Sequence, residues 1–137
     1  MNLQLFTSLE GRIPRKTFWL GFIVLLIVSW ILQLMLFTVF GVSMMGSMDP
    51  NADPAAAAAA AEEMMSKMTL PLIILFLLLL WPSICLYAKR WHDRDKSGWW
   101  SLIGLIPIIG GLWMLIELGF LRGTDGPNRF GPDPIAE

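Results

Sequence analysis

With 137 residues the chain has the length of a single domain; 55% of it is apolar and 15% charged, and its mean hydropathy is +0.61. A soluble domain averages about a quarter charged residues, so long stretches of this chain need a solvent other than water. The net charge of −1 argues against nucleic-acid binding. One histidine (His92) and one cysteine (Cys85) leave the usual zinc sites short of ligands, so neither a metal nor another cofactor nor an internal disulfide is expected within one chain.

In chain order, the segment Met1 to Gly11 holds Leu3, Leu5, Phe6 and Leu9, a pattern that suits a short surface-lying helix. Pro14 fits the first turn of the helix that follows, where a missing N–H costs nothing. The first apolar run is Phe18 to Val42, with only Ser29, Gln33 and Thr38 strongly polar. Gln33 falls roughly 21 Å along the helix from Trp19, deep enough that an interhelical hydrogen bond is expected of it. The loop 43–69 contains Asp53-Pro54, a helix start signal, followed by seven alanines, Ala55 to Ala61. This Ala-rich helix carries no chemistry and reads as a spacer leading through Met64, Met65 and Met68 to the second run, 70–88.

A dense polar cluster follows, from Lys89 through Lys96, with Ser97-Gly98 marking a break and Asp95 or Ser97 available as a cap. The third run is 99–121, interrupted by Pro107, Gly110 and Gly111 and carrying one charge, Glu117. The tail is 122–137. Each run is about 19–25 residues, and about 20 cross the hydrocarbon core. Backbone groups in lipid are paired internally, so the spans are helices. The expected fold is an all-α integral membrane protein of a single domain with three transmembrane helices. The third is expected to be a kinked full span, with a re-entrant hairpin as the alternative. A cleaved signal peptide does not fit, because an h-region is only about 7–15 residues.

Lysine and arginine set the orientation. Arg12, Arg15 and Lys16 precede the first run, and Lys89, Arg90, Arg94 and Lys96 follow the second. The outer loop carries only Lys67 against Asp49, Asp53, Glu62 and Glu63. The N-terminus and the second loop are therefore expected in the cytoplasm, and a full third span puts the tail outside. On that layout Glu117 lies roughly 27 Å from Trp99, near the outer interface. Trp19, Trp91, Trp99 and Trp100 fall at the cytoplasmic interface, where an indole suits the headgroup level.

Three blocks resemble a known family. Gly11-Arg12-Ile13-Pro14-Arg15-Lys16-Thr17-Phe18-Trp19 resembles the opening G-R-x-x-R-x-x-F-W of the DUF805 family of small bacterial inner-membrane proteins. Lys89-Arg90-Trp91-His92-Asp93 with Ser97-Gly98-Trp99-Trp100 resembles its R-R-x-H-D and S-G-W-W. Lys89 stands where that motif has arginine; it keeps the charge and loses the planar donor fork. Gly123, Gly126, Asn128, Gly131, Asp133 and Pro134 resemble the closing G-x-x-G-x-N-x-x-G-x-D-P. The resemblance implies an inner-membrane location and adds no activity, since the family's function is unknown.

No catalytic constellation is visible, and His92 with Asp93 is the sole acid–base pair in the cluster. The expected role is non-enzymatic: binding of anionic lipid headgroups, or of a membrane-protein partner or second copy. The binding residues are expected to be Arg12, Arg15, Lys16, Lys89, Arg90, His92, Asp93 and Arg94, beside Trp19, Trp91, Trp99 and Trp100. Each basic residue at an anionic surface contributes about 1 kcal/mol. An oligomeric transporter or channel component is the alternative, with Gln33 and Glu117 as its few polar candidates.

Overall fold

The computed structural model describes residues 3–45, 51 and 53–135. Residues 1–2 of the expected N-terminal segment, 46–50 and 52 of the outer loop, and 136–137 of the tail lie outside the described residues. The elements are α1 (Gln4–Thr7), α2 (Arg15–Met45), α3 (Pro54–Asp93), a 3₁₀ segment Gly98–Leu105, α4 (Ile109–Met114) and a π-helical stretch Leu115–Phe120. Two compact units divide the chain: Ile27–Leu79, and Met1–Leu26 with Leu80–Glu137.

In the unit Ile27–Leu79, α3 starts where its cap chemistry dictates. Asp53 accepts the Ala56 N–H on Oδ1 at 2.7 Å and the Ala57 N–H on its carbonyl at 3.0 Å. Pro54 thus occupies the first helical position, which needs no donor. Alanine then supplies the best helix propensity, and α3 continues without interruption into the second apolar run. Among the described residues, α2 and α3 are the helices long and apolar enough to cross a membrane. Met68 and Leu75 are buried here, while Trp30, Leu34, Val39 and Leu78 are exposed, as lipid-facing side chains should be. Thr38 and Thr69 donate their hydroxyls to carbonyls of their own helices, Met35 and Met65, which is how a hydroxyl is satisfied among apolar neighbours. Gln33 is exposed on α2.

In the other unit, Leu5, Ile13, Phe18, Leu86, Trp91 and Leu118 form the core. Gly21 lets α2 lie close to α3, because a Cβ there would come within 2.7 Å of Leu86. Trp91 is fully buried, so it is a core residue and not the interfacial anchor expected from its polar neighbours. At the end of α3, Asp95 takes a left-handed φ of 55°, and the N–H groups of Arg94 and Lys96 both donate to the Trp91 carbonyl at 2.9 Å. Aspartate is one of the few side chains that tolerate this conformation. Ser97 Oγ then accepts the Trp99 N–H to open the 3₁₀ segment.

The third run is not one continuous helix. Pro107 ends the 3₁₀ segment, and Ile109 N–H donates to the Pro107 carbonyl at 2.7 Å around Ile108, whose φ is 63°. That is a γ-turn, and α4 then runs back along the 3₁₀ segment. Two glycines permit the close return. A Cβ on Gly110 would collide with the Ile103 carbonyl, and one on Gly104 would come within 2.8 Å of Met114 Sδ. Eight residues at about 2.0 Å each reach about 16 Å, roughly half the ~30 Å hydrocarbon core. The run therefore turns back toward the residues at which it began. The tail's groups bond to Arg12 and Asp93, which puts the tail beside the N-terminal segment, where a full third span would have separated the two.

Candidate functional site

Leu86, Arg90 and Asp93 follow one another at i, i+4 and i+7 and share a buried face of α3. The face changes from apolar to ionic along its length. Asp93 is the centre: Arg12 Nη2 lies 3.1 Å from its Oδ1, and Arg90 Nη1 donates to its Oδ2. A buried carboxylate held by two guanidiniums is a paired charge.

Both arginines spend their remaining donors on the returning chain. Arg90 Nε donates to the Leu118 carbonyl at 2.6 Å and Nη2 to that of Leu121. Arg12 Nη2 donates to the Thr124 carbonyl at 2.7 Å, and Nη1 to those of Gly126 at 2.8 Å and Gly131 at 3.3 Å. Thr124 donates from both its N–H and its hydroxyl to the Asp93 carbonyl. Asn128 Nδ2 bridges the His92 carbonyl and the Thr124 hydroxyl at 2.9 and 2.8 Å. Gly123 has no room for a side chain, since a Cβ would collide with the Asp93 carboxylate. Asp133 accepts N–H groups from Gly126 and Ile135, and these bonds hold its carboxyl below the usual aspartate range.

The geometry thus revises several expected binding residues. Arg12, Arg90 and Asp93 face inward and hold the fold together, so their donors and acceptors are not presented to a headgroup. Arg94 and Lys96 both reach Glu117, and Lys96 also lies over the Trp91 and Trp100 rings. Glu117 therefore sits beside the second basic loop, not near an outer interface, because the doubled-back run cancels the rise a straight helix would have had. Trp19 donates from Nε1 to the Gly119 carbonyl at 3.1 Å. Trp99 and Trp100 are exposed, as are Arg15 and Lys16 at the start of α2. Arg15 holds the Phe120 carbonyl at 3.0 Å.

Two cavities flank this network. One, of about 480 Å³, is apolar and lies among Phe18, Trp19, Phe22, Tyr87, Ser101, Met114 and Leu118. The other, of about 680 Å³, is open and of mixed character, and its lining includes Gln4, Ser8, Leu9, Glu10, Lys89, His92, Arg129 and Phe130. His92 is fixed on its wall: Nδ1 lies 3.3 Å from the Gly11 carbonyl, and the ring stacks on Phe130 at 3.9 Å. No group of three or more His, Cys, Asp or Glu residues arranged for a metal occurs among the described residues. The sequence reading missed Thr124 and the carbonyls of 118–131 as partners; the closing glycine-rich motif was the available signal.

A family profile described as "Protein of unknown function (DUF805)" matches residues 6–132. The chain is 33% identical over 135 residues to the protein named inner membrane protein YhaH of Escherichia coli (strain K12), covering 98% of this chain and 93% of that protein. It is 43% identical over 54 residues to inner membrane protein YhaI of the same organism, covering 39% of this chain and 44% of that protein. The uncharacterized protein YiiR of that organism is 33% identical over 79 residues, covering 40% and 54% respectively. No solved structure matches.

Proposed function

The chain belongs to the DUF805 family and is an inner-membrane protein with several helical spans, and we propose that it is a non-enzymatic protein that retains an anionic phospholipid at its basic end. In this reading α2 and α3 cross the bilayer, and the 98–120 hairpin enters from the cytoplasmic side and returns. The N-terminus, the second loop and the tail are then all cytoplasmic. Charge supports that orientation. Arg12, Arg15, Lys16, Lys89, Arg90, Arg94, Lys96, Arg122 and Arg129 belong to that side, leaving Lys67 as the only other basic residue.

The observation that carries the reading is the apolar cavity beside exposed cations. Trp19 lines the cavity, and Arg15 stands one helical turn before it with Lys16 alongside. An acyl chain suits the cavity, and a phosphate at headgroup depth suits Arg15 and Lys16, with Trp99 and Trp100 exposed on the same unit. The test is native mass spectrometry of the protein extracted with its lipids. Two lost contacts of about 1 kcal/mol each should lower phosphatidylglycerol retention by roughly tenfold or more in the Arg15→Gln, Lys16→Gln variant. Ser101→Leu, which narrows the cavity, should lower retention of every phospholipid. Unchanged retention in both variants defeats the reading.

A further inference from the structure

The larger, open cavity holds an ionic arrangement that the described residues leave incomplete. Lys89 lines it at 5% exposure. Its ammonium donates to the Gln4 carbonyl, a neutral partner. Among the described residues no carboxylate lies within ion-pair distance of it, whereas the buried guanidiniums of Arg12 and Arg90 share Asp93. Buried charges are ordinarily paired, so Lys89 is a cation whose counter-charge is missing from its own side of the cavity.

A second cation faces the same space. Arg129 lines the cavity with its guanidinium over the Phe130 ring at 4.8 Å. Its Nε and Nη2 are bonded to Asp95 at 3.2 and 2.7 Å, while Nη1 has no partner among the described residues. Phe130 is held from the other side by its stack on His92, so this wall is fixed before any ligand arrives. Among the described residues the one acid that lines the cavity is Glu10, which is exposed and opposes surplus negative charge. A phosphate group answers these features: it offers several acceptors to an ammonium with donors to spare and to a guanidinium nitrogen.

We propose that the cavity bounded by Lys89, Arg129 and Phe130 is a binding site for a phosphate group, carried by a soluble phosphate or by a lipid headgroup. It is separate from Arg15 and Lys16 and stands if lipid retention there fails.

The experiment follows thermal unfolding of the full chain in a neutral detergent while inorganic phosphate replaces chloride at constant ionic strength. The same measurement is made in phosphatidylcholine nanodiscs with and without phosphatidic acid. A ligand of the folded state raises the midpoint by mass action. Wild type should respond, and the phosphate concentration needed should rise about fivefold or more in Lys89→Gln. Because that variant alters a buried group, Glu10→Gln is the second arm: it removes an exposed opposing charge and should lower the concentration needed by about twofold. A response to inorganic phosphate assigns a soluble source. A response only to phosphatidic acid, lost in Lys89→Gln, assigns a headgroup. No response to either, or the same response in wild type, Lys89→Gln and Glu10→Gln, overturns the proposal.

Discussion

Arg12 and Asp93 are 81 residues apart in sequence, yet their side chains meet at 3.1 Å with 1% and 3% of their surfaces exposed. Through this pair the start of the chain, the end of α3 and the tail become one network. Removing one member of a buried pair leaves the other charge uncompensated, at a cost of about 3–5 kcal/mol. Asp93→Asn should therefore lower the thermal unfolding midpoint in detergent more than any substitution of Lys16 or Arg122. Arg12→Lys keeps the charge but loses the fork that holds the Thr124, Gly126 and Gly131 carbonyls. It should expose the tail to protease while α2 and α3 stay protected, and a tail as resistant as wild type would contradict this role.

Gly123→Ala should be costly where Gly111→Ala is nearly neutral. A Cβ at 123 meets the Asp93 carboxylate, and one at 111 meets nothing within 4 Å. Overpacking of this kind costs about 1–3 kcal/mol. Thermal midpoints of the two variants, compared side by side, check the difference.

Reporters of membrane sidedness fused after Glu137 and inserted at Lys96 should give the same reading, with one inserted at Asn51 giving the opposite. Opposite readings at Glu137 and Lys96 would restore a third full span.

Asp133 carries a pH dependence of known sign. Its carboxyl is depressed by the N–H groups of Ile135 and Gly126, so its contribution is present above the unfolded pKa, about 3.9. The contribution is lost as pH falls through the lower folded value. Hydrogen exchange at the Gly126 amide should accelerate in that acid window in wild type. In Asp133→Asn the exchange should lose this dependence.

What the sequence displayed was local. Two long apolar runs and the Asp53-Pro54 start follow from composition and capping over neighbouring residues, whereas the second run is expected to end at residue 88 and α3 continues to Asp93. The i, i+4, i+7 face of Leu86, Arg90 and Asp93 was also in view, but counting charges for topology does not ask whether a guanidinium points out or in. Arg12 and Arg90 read as headgroup ligands because the backbone carbonyls that absorb them carry no side-chain signature. Thr124 lies 112 residues from Arg12, a pairing that no local pattern encodes. Trp91 has the neighbours of an interfacial tryptophan and the helical phase of a core one, and the phase prevails. Pro107, Gly110 and Gly111 did mark the turn as the alternative to a kinked span, and the carbonyls at the close of the run, Leu118 to Leu121, are taken up by Arg90, Trp19 and Arg15.

At the tip of the hairpin, Ile108 holds a left-handed backbone at 80% exposure. Glycine would adopt this conformation without the penalty of about 1–2 kcal/mol that an L side chain incurs. With the tip in hydrocarbon, as proposed, glycine would also strip the turn of its cover. The carbonyls of Ile106, Pro107 and Ile108 are already taken by the N–H groups of Gly110, Ile109 and Leu112, so what glycine would forfeit is apolar surface in contact with lipid. The butyl group of Ile108 thus works as an anchor, since moving it from water into hydrocarbon is worth about 1.5–3 kcal/mol, enough to offset the local strain. In water the same exchange would run the other way, so this turn is fitted to its solvent as much as to its sequence.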